Sequence, residues 1–154
     1  MKAKHKKRAA HTQRAGEHAR RRRASVHFVR GFALEATDEG AARDAYAAAL
    51  SLYEGHLEAS INLGRLLHLS GELEAAEAIY REAEQTSGLL SFNLALLLED
   101  LRRDQEAIRA YREALALQPA LHEAHFHLGM MYERLKMPRE ALKHLLAYRR
   151  HSRQ

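Results

Sequence analysis

The segment that decides the fold is Ile61–Ala83, INLGRLLHLSGELEAAEAIYREA, in which small residues stand among large apolar and long charged side chains. These small residues are Gly64, Ala76 and Ala83. Two antiparallel helices approach closely only where one presents Gly or Ala and the other packs a Leu or Tyr into the gap. Gly71 lies between the two periodic halves, where a turn needs it. The segment therefore predicts a hairpin of two amphipathic helices.

The same pattern recurs along the chain. Alanines separated by 34, 31 and 34 residues form one column, and large residues follow four positions later in each copy. A fixed period of this length is typical of stacked structural repeats. Abundant Ala, Leu, Glu and Arg, with only two prolines, favour helices throughout. We therefore predict an all-α solenoid of stacked helix hairpins. The alanine column is Ala42, Ala76, Ala107 and Ala141, and the large-residue column is Tyr46, Tyr80, Tyr111 and Leu145.

These columns resemble the tetratricopeptide repeat, over residues 26–148. The resemblance implies hairpins of about 34 residues stacked into a superhelix, here with three full repeats and one degenerate N-terminal repeat. The large residue that usually begins the first helix is replaced by Ser60, Ser91 and His125. The repeats are also similar to those attached to some bacterial regulators of the MerR type and to those of the O-linked N-acetylglucosamine transferase.

The columns divide the chain into segments. A basic tail (1–24) precedes the degenerate first repeat (25–56), three full repeats (57–87, 88–121 and 122–150) and a short C-terminal end (151–154). A shift of 34 residues places Val29 in the leucine column and Arg30 where Gly belongs. The shorter 31-residue interval falls at EQTSG, Glu84–Gly88, and predicts a tighter corner there. Pro138 is predicted to open the second helix of the last repeat, where a missing N–H costs nothing.

The resemblance implies that the first helix of each hairpin lines a concave groove that binds a peptide. Aromatic and Met side chains would supply contact area there, although Phe92 and Phe126 are alternatively core residues. In similar arrays asparagines hold a peptide backbone, and Asn62 and Asn93 share one column, which His127 continues. The Lys, Asn and Arg cage with which other members bind terminal carboxylates is absent. The predicted groove residues are Ile61, Asn62, Arg65, His68, Phe92, Asn93, Leu96, Glu99, Phe126, His127, Met130 and Glu133.

The net charge of +5 is unevenly distributed. Residues 1–24 hold ten Lys or Arg and one acid, whereas the rest of the chain is mildly acidic. Such a segment is either solvated and mobile, or helical from about Thr12 into Val26, or it attracts nucleic acid or another acidic surface. Nucleic-acid association, as in a regulator-linked repeat protein, is the alternative function. The residues predicted to act in it are Lys2, Lys4, Lys6, Lys7, Arg8, Arg20, Arg21, Arg22 and Arg23.

Several other functions find little support. Cysteine is absent, which excludes disulfides and thiolate metal sites, and no apolar run reaches the roughly 20 residues of a membrane span. We find no phosphate-binding loop or nucleophile motif, and the imidazoles of His122 and His125 have no carboxylate placed to complete a metal site. We therefore predict a cytoplasmic, non-enzymatic protein without cofactor or metal.

The last hairpin has no further helix to cover it. Leu142, Leu145, Leu146 and Tyr148 are expected to be partly exposed, which makes this end either a self-association surface or a face solvated by neighbouring charges. A protein or peptide remains the principal predicted partner.

Overall fold

The structure is a computed structural model that describes residues 2–83 and 87–151, with side chains described from residue 11 to residue 150 outside that gap. The predicted corner at Glu84–Gly88 includes residues 84–86, which lie outside the described residues. The described residues form eight α-helices and no strand, which confirms the all-α prediction. The helices are α1 (Lys2–Leu34), α2 (Glu39–Leu52), α3 (Leu57–Leu69), α4 (Leu73–Glu82), α5 (Gly88–Asp100), α6 (Asp104–Leu117), α7 (His122–Arg134) and α8 (Pro138–His151).

The helices pair in sequence order. The most extensive packing joins α1 to α2, α3 to α4, α5 to α6 and α7 to α8, so each pair is a hairpin. Smaller contacts join α2 to α3, α4 to α5 and α6 to α7, which stacks each hairpin on the preceding one. This arrangement confirms the predicted solenoid of four hairpins, in which each repeat contacts mainly its neighbours.

Local signals place the helix ends. The Asp38 side chain accepts a hydrogen bond of 2.9 Å from the amide of Ala41, and the Ser87 hydroxyl accepts one of 3.0 Å from the amide of Leu90. These caps satisfy donors that the first turns of α2 and α5 leave unpaired. Pro138 is the first residue of α8, as predicted.

Small residues bring the two helices of a hairpin together. A Cβ atom added at Gly64 would lie 2.3 Å from Cε1 of Tyr80, and one added at Gly129 would lie 2.6 Å from Cδ2 of Leu145. Three tyrosines of the large-residue column are almost fully buried. The predicted pairing of small and large residues therefore occurs in the structure. The buried tyrosines are Tyr46, Tyr80 and Tyr111.

The predicted register of the first repeat is wrong by one residue. Gly31, rather than Arg30, faces Tyr46, with an added Cβ only 2.8 Å from Cε1 of that ring. Val29 is 63% exposed instead of buried in the leucine column. The reason is a one-residue difference in spacing, since Gly31 precedes Ala42 by 11 residues whereas Gly64 precedes Ala76 by 12. A constant shift of 34 residues conceals such a deletion.

The basic segment is part of α1 in the structure. Ala24 is fully buried and belongs to the same core cluster as Ala42 and Tyr46 of α2, while residues 11–23 are exposed. Arg21 bonds Glu17 at 2.6 Å, and its guanidinium carbon lies 4.7 Å from the centre of the Tyr53 ring. Among the described residues, no helix combines the length and the apolar character needed to cross a membrane.

Candidate functional site

The first helices of the repeats border a broad depression of about 850 Å³, here called the inner depression. Most of its lining comes from α3, α5 and α7, and the rest is Leu73, the first residue of α4, and Arg102 in the turn after α5. Its residues are Arg65, His68, Leu69, Leu73, Asn93, Leu96, Glu99, Asp100, Arg102, His127 and Arg134.

The inner depression brings together six of the twelve predicted groove residues, namely Arg65, His68, Asn93, Leu96, Glu99 and His127. The other six do not line it. Ile61 is 8% exposed and belongs to the core, whereas Met130 is 44% exposed outside the depression. Asn62, Phe92, Phe126 and Glu133 also lie elsewhere.

The wall of the inner depression is charged. His68 Nε2 lies 2.8 Å from Asp100 Oδ2, and Arg65 pairs with Glu35 of α1. Arg102 is exposed, and no acidic partner is found for it among the described residues. The Arg102 guanidinium is therefore a cation that an acidic ligand would meet without first breaking an ion pair.

Apolar side chains accompany these charges. Leu69 is 72% exposed at the end of α3, and Leu73 and Leu96 are half-buried in the same depression. Solvent-exposed leucines beside a few polar groups are typical of surfaces that bind a ligand.

Glu99 is the centre of a hydrogen-bonded cluster. The Tyr111 hydroxyl donates to its Oε2 atom at 2.9 Å, and His127 Nδ1 lies 3.3 Å from the same oxygen. Arg134 Nη1 lies 3.4 Å from the other carboxylate oxygen. The hydrogen bond from His127 is the main cause that lowers the pKa of Glu99, and those from Tyr111 and the charge of Arg134 act in the same direction. Burial raises the pKa of Tyr111.

The first repeat contains a related cluster. The Tyr46 hydroxyl donates to Glu35, and the Asn62 amide donates to the Tyr46 oxygen at 3.0 Å. Burial raises the pKa of Tyr46 to about 12. In the corrected register Glu35 and Glu99 occupy the same repeat position, which in the second repeat is held by His68. Tyr80 is the tyrosine of the second repeat that corresponds to Tyr46 and Tyr111. Because the second repeat has no glutamate at this position, the buried Tyr80 hydroxyl has no hydrogen-bond partner among the described residues.

The two asparagines of the predicted ladder are hydrogen-bonded within the fold. Asn62 donates to Tyr46, and Asn93 Nδ2 donates to the carbonyl of Leu89 at 2.8 Å. Only Asn93 lines the inner depression. The amide group has separate donor and acceptor atoms, so this hydrogen bond does not use the Asn93 oxygen. The ladder itself stays a prediction.

The two predicted phenylalanines have different surroundings. The Phe92 ring is half-buried, with its centre 5.7 Å from that of Tyr111 and 5.8 Å from that of His127. Phe126 is 40% exposed and lies 5.3 Å from the Tyr148 ring. Phe92 thus packs beneath the depression, whereas Phe126 extends the apolar surface of the last hairpin.

Sequence reasoning missed five residues of the inner depression. It considered only positions within the first helices, while the missed residues lie at helix ends and turns. A signal was present, because Leu69, Asp100 and Arg134 share one repeat position and directly follow the position of His68 and Glu99. The missed residues are Leu69, Leu73, Asp100, Arg102 and Arg134.

The histidines of α7 are distributed over different contacts. His125 Nδ1 lies 2.9 Å from His144 Nδ1 of α8, whereas His127 faces Glu99. In residues 11–83 and 87–150 there is no group of three or more His, Asp or Glu side chains placed to hold a metal ion.

Stacked hairpins with an open inner depression define a helical-repeat scaffold for protein–protein interaction. Profiles of the tetratricopeptide repeat match residues 33–88 and 89–121. The chain belongs to the tetratricopeptide repeat family, as the resemblance implied.

Individual proteins are similar to parts of this chain. The human protein O-mannosyl-transferase TMTC1 is 36% identical over 91 residues, which span 57% of this chain and 10% of that protein. This chain therefore covers only a small part of that relative.

Solved structures show the same fold. A MamA structure has a TM-score of 0.77 at 19% identity, over 84% of this chain and 78% of that chain. MamA 41-end from Desulfovibrio magneticus RS-1 has a TM-score of 0.72 at 22% identity, covering 84% and 76%. YrrB, described as a TPR protein with an unusual peptide-binding site, has a TM-score of 0.70 at 22% identity, covering 81% and 66%.

Proposed function

We propose that this protein binds a peptide or helix of a partner protein in the inner depression. This proposal rests on one observation: solvent-accessible leucines line the same depression as Arg102. The Arg102 guanidinium has no acidic partner among the described residues. Leu69 and Leu96 offer apolar area, while Asn93 offers an amide oxygen to a peptide backbone. A segment with large apolar side chains next to an acidic residue matches this chemistry.

The known peptide-binding character of a structural neighbour agrees with the proposal. YrrB is described as having an unusual peptide-binding site, and its fold covers most of this chain. The residues that line the inner depression here, rather than that similarity, define which segments would bind.

The test uses peptides selected for binding to the immobilised full-length protein from a library of random sequences. Affinities of the selected peptides are then compared for Leu96→Ser, Arg102→Glu and the wild type. We expect each substitution to weaken binding by about tenfold or more, as for central contact residues. Leu117→Ser is the matched control, because Leu117 is 48% exposed and lies outside the inner depression. Equal affinities for all four proteins would reject the proposal.

A second candidate function is nucleic-acid binding by the basic segment. It is favoured by the exposure of Arg20, Arg22 and Arg23, for which no ion pair is found among the described residues. The test is a salt titration of duplex DNA binding, with and without residues 1–24. Binding through phosphates requires a steep loss of affinity with salt, and binding that survives the deletion unchanged would exclude this function for the segment.

A further inference from the structure

The outward face of α1 carries three large apolar side chains that the fold leaves open. Val26, Val29 and Phe32 are 68%, 63% and 67% exposed. They are spaced by three residues, so they lie on one side of the helix. Single exposed apolar residues are ordinary, whereas a contiguous row of them marks an interaction surface. We call these three residues the α1 apolar row.

Repeat equivalence shows what this side of a first helix does elsewhere in the array. In the register that aligns Gly31 with Gly64, the α1 apolar row corresponds to Ala59, Asn62 and Arg65 of α3. Those three residues face the preceding hairpin. Ala59 is fully buried, Asn62 donates to the Tyr46 hydroxyl, and Arg65 pairs with Glu35.

The first of these positions is buried in every later repeat. Ala59, Leu90 and Ala124 are 0%, 4% and 0% exposed, whereas Val26 is 68% exposed. Val26 therefore occupies a place that a preceding hairpin covers in the later repeats, whereas later counterparts of Val29 and Phe32, such as Asn93 and Leu96, line the inner depression. A helix laid against the Val26 end of the row would repeat a contact that the fold already makes in three later repeats.

We propose that the α1 apolar row binds an acidic amphipathic helix of a partner protein. The charge around the row identifies the partner. Arg22 lies one helical turn before Val26 on the same side, and Arg30 lies one turn after it. Both arginines are exposed, and no acidic partner is found for either among the described residues. A partner helix with an apolar stripe bordered by acidic residues would pack against the row and form ion pairs with these two arginines.

The charge argues against a second copy of this chain as the occupant. The open face of the last hairpin includes Leu142, which is 58% exposed. The helix that carries it, α8, also has Lys143, Arg149 and Arg150 and therefore has the same sign of charge as α1. Like charges brought together in this way oppose association. Nucleic acid is disfavoured for a different reason, because phosphates offer nothing to the three apolar side chains of the row.

The experiment measures binding of a labelled helical peptide by fluorescence anisotropy, using the full-length protein. The probe has about 20 residues, with leucines on one face and glutamates on the others, and a second probe carries lysine in place of glutamate. We expect the acidic probe to bind and the basic probe to show no binding.

Val29→Ser combined with Phe32→Ser should weaken binding of the acidic probe by about tenfold or more. Arg22→Gln combined with Arg30→Gln should weaken it at low salt and have little effect near 1 M salt, where screening is strong.

Controls separate this surface from the inner depression and from self-association. Because the inner depression also suits an apolar, acidic segment, the probe is titrated against a Leu96→Ser, Arg102→Glu double variant, in which the α1 apolar row should still bind it. Circular dichroism melting should show that all variants remain folded. Equal binding of both probes would overturn the proposal, as would unchanged binding by the Val29→Ser and Phe32→Ser variant.

Two results would identify another occupant. If the wild type sediments as a dimer and this variant does not, the occupant is a second copy of this chain. Displacement of the acidic probe by duplex DNA, with the loss of affinity confined to the arginine variant, would identify a phosphate-binding face.

Discussion

The ring of Tyr80 occupies the space where a side chain at Gly64 would stand, so that the two helices of the second hairpin pack closely at this point. An added Cβ at Gly64 would be 2.3 Å from Cε1 and 2.7 Å from Cζ of the ring. Tyr80 is 2% exposed and belongs to the core, which leaves the ring little room to move. The contact explains why a helix-forming segment keeps a glycine at this position.

We therefore predict that Gly64→Ala lowers the free energy of unfolding by about 1 to 3 kcal/mol, because the hairpin must open to admit a methyl group. Urea denaturation measures this loss. Gly16→Ala is the control, since an added Cβ at Gly16 meets nothing within 4 Å and alanine favours the helix there by about 0.5 to 1 kcal/mol. Equal stability of Gly64→Ala and the wild type would contradict the packing described for this hairpin.

The turns inside three hairpins share an unusual backbone position. Gly71, Arg102 and Lys136 have φ values of +83°, 59° and 59°, and the following amides bond back to the preceding helices. At the third turn the Lys136 amide donates to the Glu133 carbonyl at 3.0 Å, and the Met137 amide donates to the Tyr132 carbonyl at 2.8 Å. This motif commonly carries glycine, which adopts positive φ without steric cost.

Replacement of Lys136 by glycine should accordingly stabilise the protein. A non-glycine residue in this conformation costs about 1 to 2 kcal/mol, part of which is offset by the conformational entropy that glycine loses. The expected gain is a rise in Tm that corresponds to about 0.5 to 1 kcal/mol. Lys136→Ala separates the backbone effect from loss of the lysine charge, because alanine keeps the unfavourable φ. A rise in Tm of the same size for both variants would show that the charge, and not the backbone, is responsible.

The sequence predicted the repeats well because small and large residues alternate at positions that any stack of hairpins must fill. Gly64 and Tyr80 are recognisable in this way without a structure. The register of α1 was predicted wrongly, since one residue is missing between Gly31 and Ala42 and no periodic pattern marks where a turn has shortened.

The candidate site was harder to predict than the fold. Arg65 and His68 were identified because they lie on the first helix of a repeat, whereas Arg102 lies in a turn that periodicity does not describe. Ile61 looked like a surface residue on a helical wheel, yet neighbouring hairpins bury it. Exposure in a stacked array depends on adjacent repeats, which the pattern of a single helix does not contain.

The two phenylalanines predicted for the groove should differ in their effect on stability. Phe92 packs against Tyr111 and His127, so Phe92→Ala should lower the free energy of unfolding by roughly 2 to 4 kcal/mol. Phe126 is 40% exposed, and its replacement by alanine should cost about 1 kcal/mol or less. Thermal melting of both variants measures the difference. A larger loss for Phe126→Ala would mean that the exposed ring is the more important packing residue.

Glu99 should contribute stability that disappears in acid. Its pKa in the folded protein lies below the ordinary value of 4.5, because the ionised carboxylate accepts hydrogen bonds from His127 and Tyr111. The contribution is therefore present above pH 4.5 and is lost as the pH falls through the folded-state pKa. Glu99→Gln should lower the free energy of unfolding by roughly 1 to 3 kcal/mol at pH 7 and should flatten its decline below pH 4.5.

The control for this substitution is Glu133→Gln. Glu133 occupies the same repeat position but is exposed, and no ion pair is found for it among the described residues. Urea denaturation between pH 3 and pH 7, a range that spans the ordinary carboxyl pKa, compares the three proteins. If Glu99→Gln retained the full acid sensitivity of the wild type, the carboxylate would not be the group that titrates with unfolding.

His144 should destabilise the last hairpin over a higher pH range. Its pKa is lowered from 6.5 to about 4, chiefly by burial and further by the charges of His125, Lys143 and Arg112. His144 Nδ1 lies 2.9 Å from His125 Nδ1, and its ring stacks on that of Tyr132, so the neutral imidazole is the form that the folded state accepts. The unfolded chain binds a proton near pH 6.5, whereas the folded chain does so only near pH 4. Stability is thus unaffected by this group above pH 6.5 and falls as the pH drops from 6.5 to 4.

His144→Asn should remove this slope, although loss of the ring contacts lowers stability at pH 7. Urea denaturation at a series of pH values measures the slope, and His18→Asn, a histidine substitution on the exposed part of α1 outside the last hairpin, serves as the control. A wild-type slope in His144→Asn would assign the acid sensitivity in this range to a different group.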